Sequence, residues 1–175
     1  MQLTLFDMPF TPERPRGTVS LPEIRVATVR ECFVSGLAVA PKNSEEMAAL
    51  TRAIITSAAW FDPDKECVVV FCLNSRHRVV GHSLVSLGTL TASLASPREV
   101  LRPVIAHASA GFVLVHNHPS GSVNPSVADT HVTRRVRDAA RAVEISFLDH
   151  LILGDKRFDE AGRGYYSFKD AGLLG

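Results

Sequence analysis

Hydrophobic residues lie along the chain in short runs whose spacing alternates between that of strands and that of helices. Several runs combine β-branched and aromatic residues with few polar interruptions, which is typical of buried strands. Two neighbouring runs are joined only by Asn-Ser-Arg and therefore predict a hairpin. The predicted strands are IRVATVRECF (24–33), ECVVVFCLN (66–74), HRVVGHSLVS (77–86), GFVLVHNH (111–118), ISFLDHLILG (145–154) and, at an edge, GYYSF (164–168).

Between these runs, apolar residues recur every three or four positions, which predicts amphipathic helices. Ser44 precedes the first helical pattern as a candidate N-cap, and Ser96 followed by Pro97 is a typical start for the second. The third pattern follows Ser126. The side chains predicted to face the core are Met47, Leu50, Ile54, Ala58 and Phe61 in the first helix and Val132, Val136, Ala140 and Val143 in the third.

The alternation of strands and helices predicts an α/β (α+β) domain, with a mixed central β-sheet flanked by helices in three layers. The domain is expected to span residues 23–175. Residues 1–22 are interpreted as a flexible tail, because prolines between Pro9 and Pro22 interrupt any regular element.

Composition narrows the class of protein. The chain has 175 residues and a net charge of +1, so no global charge attracts it to nucleic acid or membrane. Its apolar runs are too short to span a bilayer, and its N-terminus lacks the pattern of a secretory signal, so a cytoplasmic location is expected. Cys32, Cys67 and Cys72 cannot all pair and have no C-x-x-C spacing, which predicts reduced thiols.

The segment HNHPSGSVNPSVAD (116–129) concentrates candidate metal ligands where a strand ends and a helix begins. His116 and His118 are two positions apart, so their imidazoles project from the same face of the strand, while Asn117 points the other way. The first turn of the next helix presents Asp129. Two imidazoles and a carboxylate, with a fourth position open, form a ligand set typical of catalytic zinc.

These residues also have a simpler interpretation. Ser126 and Asp129 have the spacing of a capping box, so both could serve only the N–H groups of the helix. Histidines at the ends of strands commonly bind nothing. The letters HNH do not indicate a nuclease, because the members of the motif of that name are far apart in sequence. Spacing alone therefore leaves both a metal site and a capped helix open.

The order of these residues resembles a known signature. H-x-H, seven residues, Ser, two residues and Asp is the pattern of the JAMM (MPN+) metalloproteases, and HNHPSG followed by PS and Asp is closer still to the RadC family. RadC proteins often carry an N-terminal helix-hairpin-helix segment as well, and the chain resembles the short form without it. The resemblance extends through RECFVSG, ECVVVFCLNSRHRVVG, SLGTLTASLASPREVLRPVIAHASAGFVLVHNHPSG, VTRRVRDAARAVEISFLDHLILGD and YYSF.

The resemblance implies a JAB/MPN-like fold, similar to that of cytidine deaminases, with Zn2+ held by His116, His118 and Asp129. It also implies catalytic roles for Glu66, as a general base, and for Ser126, as a donor to the developing oxyanion. From the sequence alone, a solvated residue at the start of a strand is the favoured interpretation of Glu66, and the resemblance favours the catalytic role.

The activity implied is zinc-dependent hydrolysis of a peptide or isopeptide bond in a protein associated with DNA repair or replication. Two alternatives stay open: a non-catalytic accessory module with a metal site, and a metal-dependent nuclease. Asp149 and His150 match a pair typical of RadC, for which a structural or supporting role is expected. Direct contact with nucleic acid or an acidic peptide would fall to Arg134, Arg135, Arg137 and Arg141, although a solvated helix face is the favoured interpretation.

The tail contains a second motif. Its residues QLTLF are similar to the pentapeptide by which bacterial replication and repair proteins bind the DNA sliding clamp. In such a short linear motif Leu3, Leu5 and Phe6 would fill hydrophobic pockets and Gln2 would supply a polar anchor. The alternative is a short strand added to the edge of the sheet.

Overall fold

The structure is a computed structural model that describes residues 40–88 and 95–174. The tail, the clamp-like motif and the predicted strand at 24–33 lie outside the described residues. The elements in chain order are helix α1 (Ser44–Thr56), strands β1 (Glu66–Leu73) and β2 (Val79–Gly88), helix α2 (Pro97–Ala106), strand β3 (Gly111–Asn117), helix α3 (Val127–Ala142), strand β4 (Ser146–Leu153), a 3-10 turn (Lys156–Phe158) and strand β5 (Tyr165–Ser167).

The strands form one mixed sheet in the order β2-β1-β3-β4-β5. Strands β1 and β2 form the predicted antiparallel hairpin, and β3 also runs antiparallel to β1. Strands β3 and β4 are parallel because α3 connects them as a crossover, and the short β5 is antiparallel at the edge. The carboxyl ends of β3 and β4 therefore lie side by side, where ligand sites of α/β sheets are commonly found.

Each face of the sheet is covered by helices. One apolar cluster packs α1 against residues such as Cys67, Val69 and Val115, and the other packs α2 and α3 against Val68 and Leu114 on the opposite face. The predicted three-layer α/β arrangement with a mixed sheet is confirmed. Cys67 and Cys72 fall on opposite faces as their parity predicts, and both are buried, free thiols.

Helix boundaries differ from the prediction in three places. The N-cap of α1 is Asn43, whose side chain accepts the Glu46 N–H, so the assignment of Ser44 was wrong. Helix α1 ends at Thr56, so Ala58 and Phe61 follow the helix instead of continuing its buried face. Val143 is the C-cap of α3 and is exposed, because the helix ends one residue earlier. Within residues 40–88 and 95–174, no helix is long and apolar enough to cross a membrane.

Candidate metal centre

The carboxyl end of β3 presents two imidazoles on the face that α3 covers. His116 is buried among the core residues of that face, and His118 follows the last residue of the strand. Their Nε2 atoms are 3.1 Å apart. The two histidines predicted from their spacing to share a face are therefore brought together.

Asp129 reaches the same point from the first turn of α3. Its Oδ1 is 3.3 Å from His116 Nε2, and its Oδ2 is 3.6 Å from His118 Nε2. A capping box with Ser126 fixes this carboxylate: Oδ2 accepts the Ser126 N–H at 2.7 Å and the Ser126 hydroxyl at 2.6 Å, while Ser126 Oγ accepts the Asp129 N–H. The two interpretations left open by the sequence are therefore compatible, since one residue caps the helix and faces the histidines.

Electrostatics favour an ionised Asp129. Burial opposes the charge, but contacts with His116 and His118 and the bond from Ser126 outweigh it and hold the pKa of this carboxyl well below its usual range. The bond to Asp129 in turn raises the pKa of His118, against the opposing effect of burial. The centre is thus an anionic pocket that attracts a cation.

A hydrogen-bond chain fixes which nitrogen of His116 carries its proton. The Asp129 backbone carbonyl can only accept, so the Thr133 hydroxyl donates to it at 2.6 Å. The Thr133 oxygen must then accept from His150 Nδ1–H at 2.6 Å. His150 is buried, and burial lowers its pKa well below the usual value, so it is neutral with a bare Nε2. That nitrogen accepts from His116 Nδ1–H at 2.9 Å.

In neutral His116 this chain leaves the lone pair on Nε2, the nitrogen that faces His118 and Asp129. In neutral His118 the lone pair is likewise on Nε2, because Nδ1–H donates to the Ser122 carbonyl at 2.9 Å. Two lone pairs that face each other repel unless a proton or metal ion lies between them. Both imidazoles are therefore prepared as metal ligands by groups behind them, as is usual for zinc-binding histidines.

The separations of these atoms match a tetrahedral site. Bonds of about 2.0–2.1 Å from zinc to its ligands imply ligand atoms roughly 3.3 Å apart. His116 Nε2 meets this condition with His118 Nε2 at 3.1 Å and with Asp129 Oδ1 at 3.3 Å, and His118 Nε2 lies 3.6 Å from Asp129 Oδ2. Two imidazoles and a carboxylate are also donors that zinc accepts. His116, His118 and Asp129 therefore fit a zinc ion with a fourth position open.

Glu66 completes the cluster from the first residue of β1. Its Oε1 is 3.8 Å from His116 Nε2 and 3.9 Å from His118 Nε2, slightly further than the 3.1 to 3.6 Å that separate the two imidazole nitrogens from each other and from an Asp129 carboxylate oxygen. These four side chains form the one group in the described part of the chain in which at least three His, Cys, Asp or Glu residues could hold a metal ion. The partly exposed Glu66 carboxylate lies where it can contact a group in the fourth position.

Asn117 lies between the two histidines and points to the other face. Its Oδ1 accepts the Cys67 N–H at 2.8 Å, and its Nδ2 donates to the Lys65 carbonyl at 3.1 Å. The Cys67 thiol also contacts Oδ1, and burial raises the pKa of this thiol to about 11. Lys65 and Cys67 are the residues on either side of Glu66.

The other predicted residues have distinct environments. His150 supports His116, as described above, whereas Asp149 faces away and accepts bonds from Ser44, Ser167 and the Lys169 N–H. The sequence patterns did not predict the contact of Thr133 with His150 or the role of Asn117. The i, i+4 spacing of Asp129 and Thr133 was the available signal for Thr133.

The arginines of α3 form a solvated helix face. Arg134, Arg135 and Arg141 are exposed, and Arg137 pairs with Asp138.

A cavity of about 510 Å³ lies beyond the loop that follows His118. Arg52 of α1 contributes to its wall and binds the Gly154 and Gly164 carbonyls. Lys156, Arg157 and the exposed Phe158 also line it. His118 is the one residue of the four-residue cluster that also borders this cavity.

Comparison with known proteins places the chain in a family. Residues 41–173 match the family model of the RadC-like JAB domain. UPF0758 proteins of Pelodictyon phaeoclathratiforme and Rubrobacter xylanophilus are 42% and 44% identical over 113 and 111 residues, which are 65% and 63% of this chain. These segments are 48% and 45% of the relatives, so the chain spans about half their length.

A longer match is to a UPF0758 protein of Geobacter sulfurreducens. It is 36% identical over 170 residues, covering 85% of this chain and 71% of the relative. The resemblance inferred from the HNHPSG motif is therefore confirmed, and with it the JAB/MPN-like fold. The chain belongs to the RadC family through its RadC-like JAB domain.

Proposed function

We propose that the protein is a zinc-dependent hydrolase of the JAMM type that cleaves a peptide or isopeptide bond. The observation that carries this proposal is the difference between Glu66 and the other three members of the cluster. His116, His118 and Asp129 lie 3.1 to 3.6 Å from one another, whereas Glu66 Oε1 lies slightly further off, 3.8 and 3.9 Å from the imidazole nitrogens. A purely structural zinc site would have four protein ligands.

When bound, zinc would polarise a carbonyl and make water nucleophilic near neutral pH. The residues of the chain do the remaining work. The Glu66 carboxylate accepts the proton of the attacking water and passes it to the leaving amine, as a general base and then an acid. Asp129 and the two histidines hold the ion, and the His150 chain keeps the His116 lone pair available.

Ser126 is proposed to stabilise the oxyanion that forms during attack. Its hydroxyl donates to Asp129 Oδ2 in the structure, so donation to substrate requires rotation about its side-chain bond. Ser126 is exposed at the N-terminus of α3, so its side chain has room for this rotation. Loss of one such donor typically costs a few kcal/mol of transition-state stabilisation.

The alternatives are a non-catalytic accessory module of DNA repair and a metal-dependent nuclease. The first test is zinc content after purification without added metal. About one zinc per chain is expected for the wild type and for Glu66→Gln, and little for His116→Ala. Absence of bound zinc and of zinc uptake in the wild type would refute the hydrolase proposal.

Activity is then tested on an array of peptides and isopeptide-linked lysines. Cleavage by the wild type and its loss in Glu66→Gln, at equal zinc content, would support catalysis over the accessory role. DNA assayed with the same preparations discriminates the nuclease, for which DNA cleavage would depend on the metal ligands.

We also propose a partner for the tail, on the strength of its sequence alone. In the bacterial cytoplasm, Gln2, Leu3, Leu5 and Phe6 would bind the sliding clamp and bring the hydrolase domain to DNA. A fluorescent peptide of residues 1–22 is expected to bind purified clamp, and Phe6→Ala to weaken this binding at least tenfold, because an apolar anchor is lost. Equal binding of both peptides would contradict the proposal.

A further inference from the structure

We propose that Asn117 is a positioning residue for Glu66, holding the backbone on both sides of that residue so that its carboxylate faces the metal ligands. The inference deepens the proposed function, in which Glu66 is the general base. It rests on two hydrogen bonds of one buried amide, to the Cys67 N–H at 2.8 Å and to the Lys65 carbonyl at 3.1 Å.

The backbone pairing of β1 with β3 stops two residues short of Glu66. The last paired residues at this end are Val68 and His116. One step further, the Cys67 N–H bonds to the side chain of Asn117 instead of to its backbone. The amide therefore replaces the next rung of the ladder. On its other side Glu66 pairs with Gly88 of β2, so the amide is what holds this part of β1 on the β3 side, next to the two histidines.

Successive side chains of β1 and β3 alternate between the two faces of the sheet. His116 and Glu66 project to the α3 face, whereas Asn117 and Cys67 project to the α1 face. Asn117 is thus on the opposite side of the sheet from the reacting groups and acts on them only through the backbone. The tripeptide His116-Asn117-His118 supplies two metal ligands on one face and the support of the base on the other.

The asparagine amide has one acceptor and one donor group for the two backbone groups that it contacts. The Lys65 carbonyl only accepts and the Cys67 N–H only donates, so the orientation of the amide is fixed by its partners. Aspartate would keep the bond to Cys67 but place an oxygen against the Lys65 carbonyl. Alanine would leave both backbone groups without these partners. Leucine would do the same and would also place an apolar side chain against them.

The direct test is the crystal structure of the metal-free Asn117→Ala variant, with wild type and Asn124→Ala solved under the same conditions. Asn124 is an exposed asparagine in the loop between the histidines and α3, so it is a matched control. In Asn117→Ala, Glu66 Oε1 is expected to move away from its 3.8 and 3.9 Å positions beside the imidazoles. An unmoved Glu66 would overturn the proposal. If Asn117→Ala does not fold, Asn117→Asp, which retains the bond to Cys67, is judged by the same displacement.

The second measurement separates positioning from general stabilisation. Zinc dissociation constants are measured by competition with a chelator for Glu66→Ala, Asn117→Ala and the double variant. Loss of a carboxylate beside the cation is expected to weaken zinc binding about tenfold, the lower end for groups behind metal ligands. If Asn117 acts through Glu66, its replacement has this effect in the wild type and none in the Glu66→Ala background.

Independent effects that multiply in the double variant would overturn the inference. Failure of the proposed function is recognised differently, since a wild-type protein that binds no zinc refutes the hydrolase. In that case the crystal structures still decide whether Asn117 holds Glu66 in place.

Discussion

Replacement of Thr133 by valine tests the hydrogen-bond chain behind His116. Valine has nearly the shape of threonine, so packing against the core is retained while the hydroxyl is lost. That hydroxyl accepts from His150 Nδ1–H and donates to the Asp129 carbonyl. Since His150 is buried, its Nδ1–H would have no partner in the variant if the tautomer stayed the same.

Two outcomes follow from this loss, and both can be given a magnitude. If His150 keeps its proton on Nδ1, an unsatisfied buried donor lowers the free energy of unfolding by about 1–3 kcal/mol. If the proton of His150 moves to Nε2, His150 Nε2–H donates a hydrogen bond to His116 Nδ1. Neutral His116 then carries its own proton on Nε2, so the lone pair that would bind the metal is lost. The second outcome weakens zinc binding, by roughly 10–100-fold, as for other groups behind metal ligands.

The assay is zinc competition against a chelator, together with urea unfolding of the metal-free protein. Thr130→Val is the control, because Thr130 lies on the same helix and makes the same i to i−4 bond, to the Ser126 carbonyl, at a partly exposed position. A zinc affinity and a free energy of unfolding in Thr133→Val that both equal those in Thr130→Val would refute the hydrogen-bond chain behind His116.

Three further predictions concern stability and reactivity. Gly154→Ala is expected to lower the free energy of unfolding by about 1–3 kcal/mol, because its Cβ would lie 2.3 Å from the Gly121 carbonyl oxygen. Gly162→Ala, in open space, should cost less despite its positive φ, and equal losses in urea unfolding would contradict the packing argument. Burial raises the pKa of Asp149, so the folded state retains this proton at pH values where the unfolded chain, with a pKa of about 3.9, has released it. Wild-type stability relative to Asp149→Asn should therefore fall as pH rises above about 4, and parallel stability curves would refute this. Cys67, with its pKa near 11, should resist iodoacetamide at about pH 8 until urea unfolds the protein, as mass spectrometry of its peptide would show.

Local sequence patterns predicted the elements whose determinants are local. The apolar runs that became β1, β3 and β4 are buried on both faces and have no other stable arrangement in water. The start of α3 was equally clear, because Ser126 and Asp129 have the spacing of a capping box. That same spacing located the carboxylate of the metal centre next to the H-x-H pair.

Errors arose where a distant residue decides the local structure. Ser44 has the chemistry of an N-cap, but its hydroxyl bonds instead to Asp149 and Ser167, more than a hundred positions away. His150 meets His116 only because β3 and β4 are parallel, with Leu114 opposite His150. Neither partner can be inferred from spacing along the chain, since strand register is a property of the assembled sheet.

The capping box of α3 has a consequence for how relatives of this protein are compared. Asp129 satisfies its own helix terminus as well as facing the histidines, so a relative without the proposed hydrolase activity would still be selected to keep it for folding. His118, by contrast, is a partly exposed residue after the end of β3, and Glu66 is the partly exposed first residue of β1. Retention of Asp129 in a relative is therefore weaker evidence for the proposed activity than retention of Glu66 and His118.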